Sequence, residues 1–206
     1  MKNLATMLKP LALSVAMLAL FTAAQTVARA DTVTFSTLGC FGAGCTPSIT
    51  STAFGSGNAT VVFTQQPTST VDTGTPSGFT AADLGTFTVG GQGSFGSTPF
   101  TLQIVQTVPS AGTGTFTATL TGTLITNGSD TRIVFDQTSL FIGNIRYDLA
   151  NLTFGNTLFL DPNATGGITR VTALISAPIP EPATMILLGT GLAGVAAGVR
   201  RRRKAA

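Results

Sequence analysis

The chain has 206 residues and a formal charge of +3, with no histidine, no tryptophan and a single tyrosine. The positive charge sits at the ends, in Lys2, Lys9 and Arg29 and in Arg200, Arg201, Arg202, Arg203 and Lys204, whereas residues 31–177 hold three arginines against seven aspartates, a balance of −4, and no lysine. A nucleic-acid interface is thereby excluded, because it needs clustered cations to displace counterions; the missing imidazole excludes Ser-His-Asp and Cys-His catalysis and the histidine zinc sites.

Lys2 and Lys9 precede the 14-residue apolar run 11–24, LALSVAMLALFTAA, and Ala28 and Ala30 flank Arg29 as the small residues a signal peptidase requires. Residues 1–30 therefore read as a secretory signal helix, with cleavage expected before Asp31. An uncleaved transmembrane helix is the competing reading, but the run is shorter than the ~17 to 25 residues a bilayer core demands. Cys40 follows Leu38 and Gly39 as in a lipidation box, yet it lies too far beyond the apolar run to be the lipid-modified cysteine. Cys40 and Cys45, the only two cysteines, are separated by Phe41, Gly42, Ala43 and Gly44. In an oxidising compartment they are expected to form a disulfide that pins a local turn, contributing about 2 kcal/mol for so small a loop. A redox dithiol would use a two-residue spacer.

Residues 31–177 are rich in Thr, Gly, Ser, Phe and Val and poor in the long helix formers, which is strand and turn composition. Strands are expected at 32–37, 48–54, 59–64, 84–89, 99–108, 113–126, 131–135, 144–154, 157–160 and 168–175. The clearest is 113–126, TGTFTATLTGTLIT, where Phe116, Ala118, Leu120, Gly122 and Leu124 alternate with threonines, giving one buried and one wetted face. Phe100, Leu102 and Ile104 are expected inward, as are Ile145, Tyr147 and Leu149, with Arg146 and Asp148 outward. Turn residues punctuate these runs, and Asn127 with Gly128 marks a hairpin turn between 124 and 133. The stretch 65–82, QQPTSTVDTGTPSGFTAA, has little periodicity and reads as a long loop or, alternatively, a linker. Together these features predict an all-β fold, an antiparallel β-sandwich or jelly-roll-like body. A transmembrane β-barrel also alternates, but it would want aromatic girdles, and Tyr147 stands alone.

Few residues of this body suggest chemistry. Asp161, Pro162 and Asn163, and Asp148 with Asn151, are the nearest approaches to a calcium site, without the dense alternation of a dedicated loop. Two aspartates could act as a glycosidase pair, but no spacing selects a pair. No catalytic residue, cofactor or metal is expected, and the body reads as non-enzymatic. Threonine-rich wetted faces suit carbohydrate, although the phenylalanines are expected mostly inward.

After residue 176 the chain reads Ala177, Pro178, Ile179, Pro180, Glu181, Pro182, an extended, proline-stiffened spacer. Residues 183–199, ATMILLGTGLAGVAAGV, carry no charge and as a helix would reach about 25 Å, barely spanning a bilayer. Gly189, Gly191 and Gly194 match a dinucleotide-binding G-x-G-x-x-G, but without the strand–helix–strand unit or the later acidic residue that motif requires. Arg200, Arg201, Arg202, Arg203 and Lys204 form a cytoplasmic stop-transfer cluster. A permanent tail anchor is the plain interpretation of residues 178–206.

A Pro-Glu-Pro box, a short glycine-rich apolar helix and a terminal arginine cluster, in that order, resemble the PEP-CTERM sorting signal of bacterial surface proteins. The resemblance implies recognition by an exosortase, a membrane-embedded cysteine transpeptidase that cuts near the box matched by Pro180, Glu181 and Pro182. It also implies a Gram-negative-type host that makes extracellular polysaccharide and biofilm. The expectation is thus a signal peptide (1–30), an exported all-β domain (31–177) and a sorting signal with a single transmembrane helix (178–206). The protein would cross the inner membrane, be held there transiently and end at the cell surface or outside the cell. Its body would be structural or adhesive, with an extracellular-polysaccharide-binding module as one alternative and an aspartate-dependent hydrolase as another.

Overall fold

The computed structural model describes residues 32–48, 52–74, 77–125, 129–160, 167–177, 189–191 and 194. The signal-peptide segment 1–30, the Asn127–Gly128 turn and Asp161, Pro162 and Asn163 lie outside them, as do the proline box, most of the apolar segment and the basic cluster. Residues 189–191 and 194 are helical; among the described residues no helix is long and apolar enough to cross a membrane.

Among the described residues twelve strands form, all within one unit, Ala30–Pro178. They are β1 (Thr32–Phe41), β2 (Thr52–Ser56), β3 (Ala59–Gln65), β4 (Ser69–Asp72), β5 (Thr80–Gly90) and β6 (Gly93–Val108), followed by β7 (Gly112–Leu124), β8 (Arg132–Phe135), β9 (Ser139–Ile142), β10 (Ile145–Ala150), β11 (Thr157–Phe159) and β12 (Ile168–Ser176). One sheet has the order β11-β8-β7-β6-β1-β4 and the other β2-β3-β5-β12-β10-β9, and every pairing is antiparallel. The chain passes repeatedly between them: β1 feeds β2 and β3 across the core, β4 returns beside β1, and β12 inserts between β5 and β10.

The all-β expectation holds, with four corrections. Residues 65–82 are not one loop, since β4 lies within them, paired with β1 through Thr34 opposite Thr70, and β5 begins at Thr80. The expected strand 144–154 ends at Ala150, where Asn151 turns the chain at φ 60°. A short strand not anticipated, β9, precedes it and pairs with β10. The expected strand 48–54 starts only at Thr52, with Ser48 making an isolated bridge to Gly39 and residues 49–51 outside the described set.

Alternation builds the core. On β6, Phe100, Leu102 and Ile104 are buried, and on β7 so are Phe116, Leu120 and Leu124, while the intervening threonines face outward. The inward residues of β1 show how the two sheets are joined. Gly39 stands where a side chain would collide with Phe63 of the facing sheet, its notional Cβ lying 2.3 Å from the ring, and Gly85 leaves the same gap from the other side at 2.6 Å. Phe63 fills that space and forms a triangle with Phe87 and Phe100, at centroid separations of 5.0, 5.2 and 5.1 Å. Phe41 leans on Phe100 at 4.8 Å. Two turns of the pleat away the join is polar. Thr37 donates its hydroxyl hydrogen to the Leu84 carbonyl at 2.7 Å and accepts from the Gln66 amide at 2.8 Å. Beyond it Phe35 meets Tyr147 edge-on, and the buried Tyr147 hydroxyl donates to Gln106 Oε1 at 2.8 Å, whose Nε2 donates in turn to the Ser110 carbonyl at 2.8 Å.

Candidate functional site

Cys40 is the penultimate residue of β1, and Gly42 and Gly44 take positive φ just beyond the strand, which returns the chain so that Cys45 bonds Cys40, with Cα atoms 5.9 Å apart. The expected disulfide is present.

The five described aspartates serve the fold. Asp72 caps the turn by accepting from the Gly74 amide at 2.8 Å. Asp83 pairs with Arg170 at 2.8 Å and Asp148 with Arg146 at 2.8 Å, both on exposed strand faces. Asp130 accepts from the Thr123 amide, and Asp136 accepts from the Thr117 hydroxyl at 2.6 Å. Asp148 is thus engaged by Arg146, while Asn151 is an exposed turn residue; among the described residues no group of three or more His, Cys, Asp or Glu side chains could hold a metal ion.

Tyr147 is fully buried, and loss of hydration holds its phenol well above the ordinary tyrosine range, so it stays protonated as the donor to Gln106.

The aromatic residues divide in a way that alternation alone does not reveal. Phe35, Phe63, Phe87, Phe95, Phe100, Phe116 and Phe135 are buried, but Phe154 is 85% exposed, Phe141 65% and Phe159 37%. Phe141 lies on the edge strand β9 with the Arg146 guanidinium 5.9 Å above its ring. Phe154 and Phe159 form a second exposed pair, edge to face with centroids 6.3 Å apart.

That second pair is held by a well-tied turn. Asn151, Phe154 and Gly155 all take positive φ, at 60°, 51° and 86°. Thr153 and Thr157 exchange backbone hydrogen bonds, and Asn156 binds the Phe135 backbone twice, accepting from its amide at 2.9 Å and donating to its carbonyl at 2.8 Å. A left-handed backbone costs a non-glycine residue roughly 1 to 2 kcal/mol. At Phe154 the fold bears that cost and gains little burial from the ring.

Next to the pair, β11 lies against β8 with Phe159 opposite Arg132, and β8 lies against β7 with Arg132 opposite Thr121. Leu158, Ile133 and Leu120, the respective sequence neighbours of these residues, are buried, so Phe159, Arg132 and Thr121 share the outer face in one row across three strands. The two ion pairs among the described residues leave out Arg132, whose Nη1 donates to the Asp130 carbonyl at 3.3 Å. Thr123 continues the hydroxyl face, 3.2 Å from the Ser94 hydroxyl.

Neither a curated relative nor a solved structure matches this chain. The family model of the PEP-CTERM protein-sorting motif matches residues 178–203, covering the proline box, the glycine-rich apolar segment and the arginines. The protein thus carries at its C-terminus the signal of exported proteins that an exosortase sorts to the cell envelope or beyond.

Proposed function

We propose that this is a bacterial cell-surface or extracellular-matrix protein whose body is a non-enzymatic structural or adhesive module. In this reading a signal peptidase releases residues 1–30, the helix at 183–199 holds the protein in the inner membrane, and an exosortase-type transpeptidase then processes it near Pro180, Glu181 and Pro182. The matched sorting motif carries the first part. For the body, the supporting observation is that each described aspartate is tied into a hydrogen bond or an ion pair, so the residue class left for acid–base work in a histidine-free body is engaged in folding. The intact mass of the protein recovered from the cell surface tests the processing step: loss of Arg200, Arg201, Arg202, Arg203 and Lys204 is expected, and their retention would overturn it.

A second reading, glycan binding by the same body, is favoured by Phe154. A strained backbone that holds an aromatic ring in water is what a preorganised contact requires and what folding alone does not.

A further inference from the structure

We propose that the outer face formed by the 151–156 turn, β11 and β8 binds a neutral glycan, with Phe154 and Phe159 supplying aromatic surface and Arg132, Thr121 and Thr123 supplying hydrogen bonds; this rests on the glycan-binding reading above. Aromatic faces take up the C–H face of a pyranose, and a few convergent polar groups then orient its hydroxyls. Both parts are present side by side. The exposed ring pair is fixed by the Asn156 anchor and the Thr153–Thr157 bridge. Arg132 stands opposite Phe159 with its donors outside any described ion pair, and the threonines of β7 continue the row.

The size and chemistry of the patch select the class of ligand. Two rings, at roughly 150 to 250 Å² each, fall short of the about 800 Å² per partner that a standard protein interface buries. A surface lined by Thr121, Thr123 and Ser94 offers hydroxyl partners to a polyhydroxylated ligand and little to an apolar one. Charge decides between sugars: three arginines against seven aspartates in residues 31–177 repel a uronate polymer, so Arg132 acts as a hydrogen-bond donor to hydroxyls.

The test is retention of the full-length chain, extracted in detergent, on an array of immobilised neutral hexose and acidic uronate oligosaccharides. Neutral glycans are expected to retain it; Phe154→Asn should weaken that retention about tenfold and Arg132→Gln severalfold. Asparagine tolerates a left-handed backbone, so Phe154→Asn should melt no lower than the parent, which separates lost binding from lost folding. Phe141→Ala, on the other sheet, should leave retention unchanged. Retention on neutral glycans that survives Phe154→Asn, or falls equally with Phe141→Ala, would overturn this site while leaving glycan binding intact. Retention on uronates alone would overturn the ligand class. No retention on any glycan would remove the glycan-binding reading and this inference together.

Discussion

The inner face of β1 joins the two sheets by two different means, and the contrast shows what each end of the core depends on. At Gly39 the join is a matter of shape: Phe63 occupies a slot that Gly39 and Gly85 leave open, within a cluster of rings 4.8 to 5.2 Å apart. At Phe35 it is a matter of polar pairing, with the Tyr147 hydroxyl, Gln106 and the Ser110 carbonyl in series. A shape-filled end fails when volume is removed or added. A paired end fails when a partner or a proton is lost.

The largest effect is expected from emptying the slot. Phe63→Ala removes a ring that touches both sheets and should cost on the order of 4 kcal/mol in denaturant unfolding. Filling the slot comes next: Gly39→Ala places a methyl against the Phe63 ring and should cost about 2 kcal/mol. Combining Gly39→Ala with Phe63→Leu should recover part of that loss, because the smaller side chain vacates the contact; strict additivity of the two would contradict the slot description.

The smallest effect at neutral pH belongs to the polar end. Tyr147→Phe removes the donor to Gln106 Oε1 and should cost about 1 kcal/mol. It should also remove a pH dependence. Burial holds the Tyr147 phenol above its ordinary value, so above pH ~10 the unfolded chain releases a proton that the folded chain retains. The folded state then binds more protons than the unfolded one, and stability falls as pH rises through that range. Residues 31–177 contain no lysine and one tyrosine, and both cysteines are disulfide-bonded, so this slope belongs to one residue. Unfolding followed from pH 8 to 11 should show the slope in the parent. The Tyr147→Phe protein should show none.

Legibility in the sequence followed position in the sheet. The central strands β6 and β7 bury one full face and expose the other, so Phe100, Leu102, Ile104, Phe116 and Leu120 announced them. The two strands that went unseen, β4 and β9, are both edge strands of four residues. Ser69–Asp72 buries no side chain fully, and Ser139–Ile142 buries only Ile142, so neither leaves a period-two trace. The exposed ring pair was hidden for a different reason. Phe154 sits in a turn, where no alternation applies, and the significance of Phe159 comes from standing opposite Arg132, 27 positions earlier in the chain.

The C-terminal signal needed no fold to be read, because the sorting motif is a linear order of a box, an apolar stretch and a charge cluster. The all-β character was equally local, since alternation is a property of successive residues. Sheet membership was not. That β12 lies between β5 and β10, that Gly39 faces Phe63, and that Tyr147 finds Gln106 41 residues away are consequences of packing one apolar face on another. Those pairings join residues far apart in sequence, and they exist only once both sheets have formed and closed over a common core.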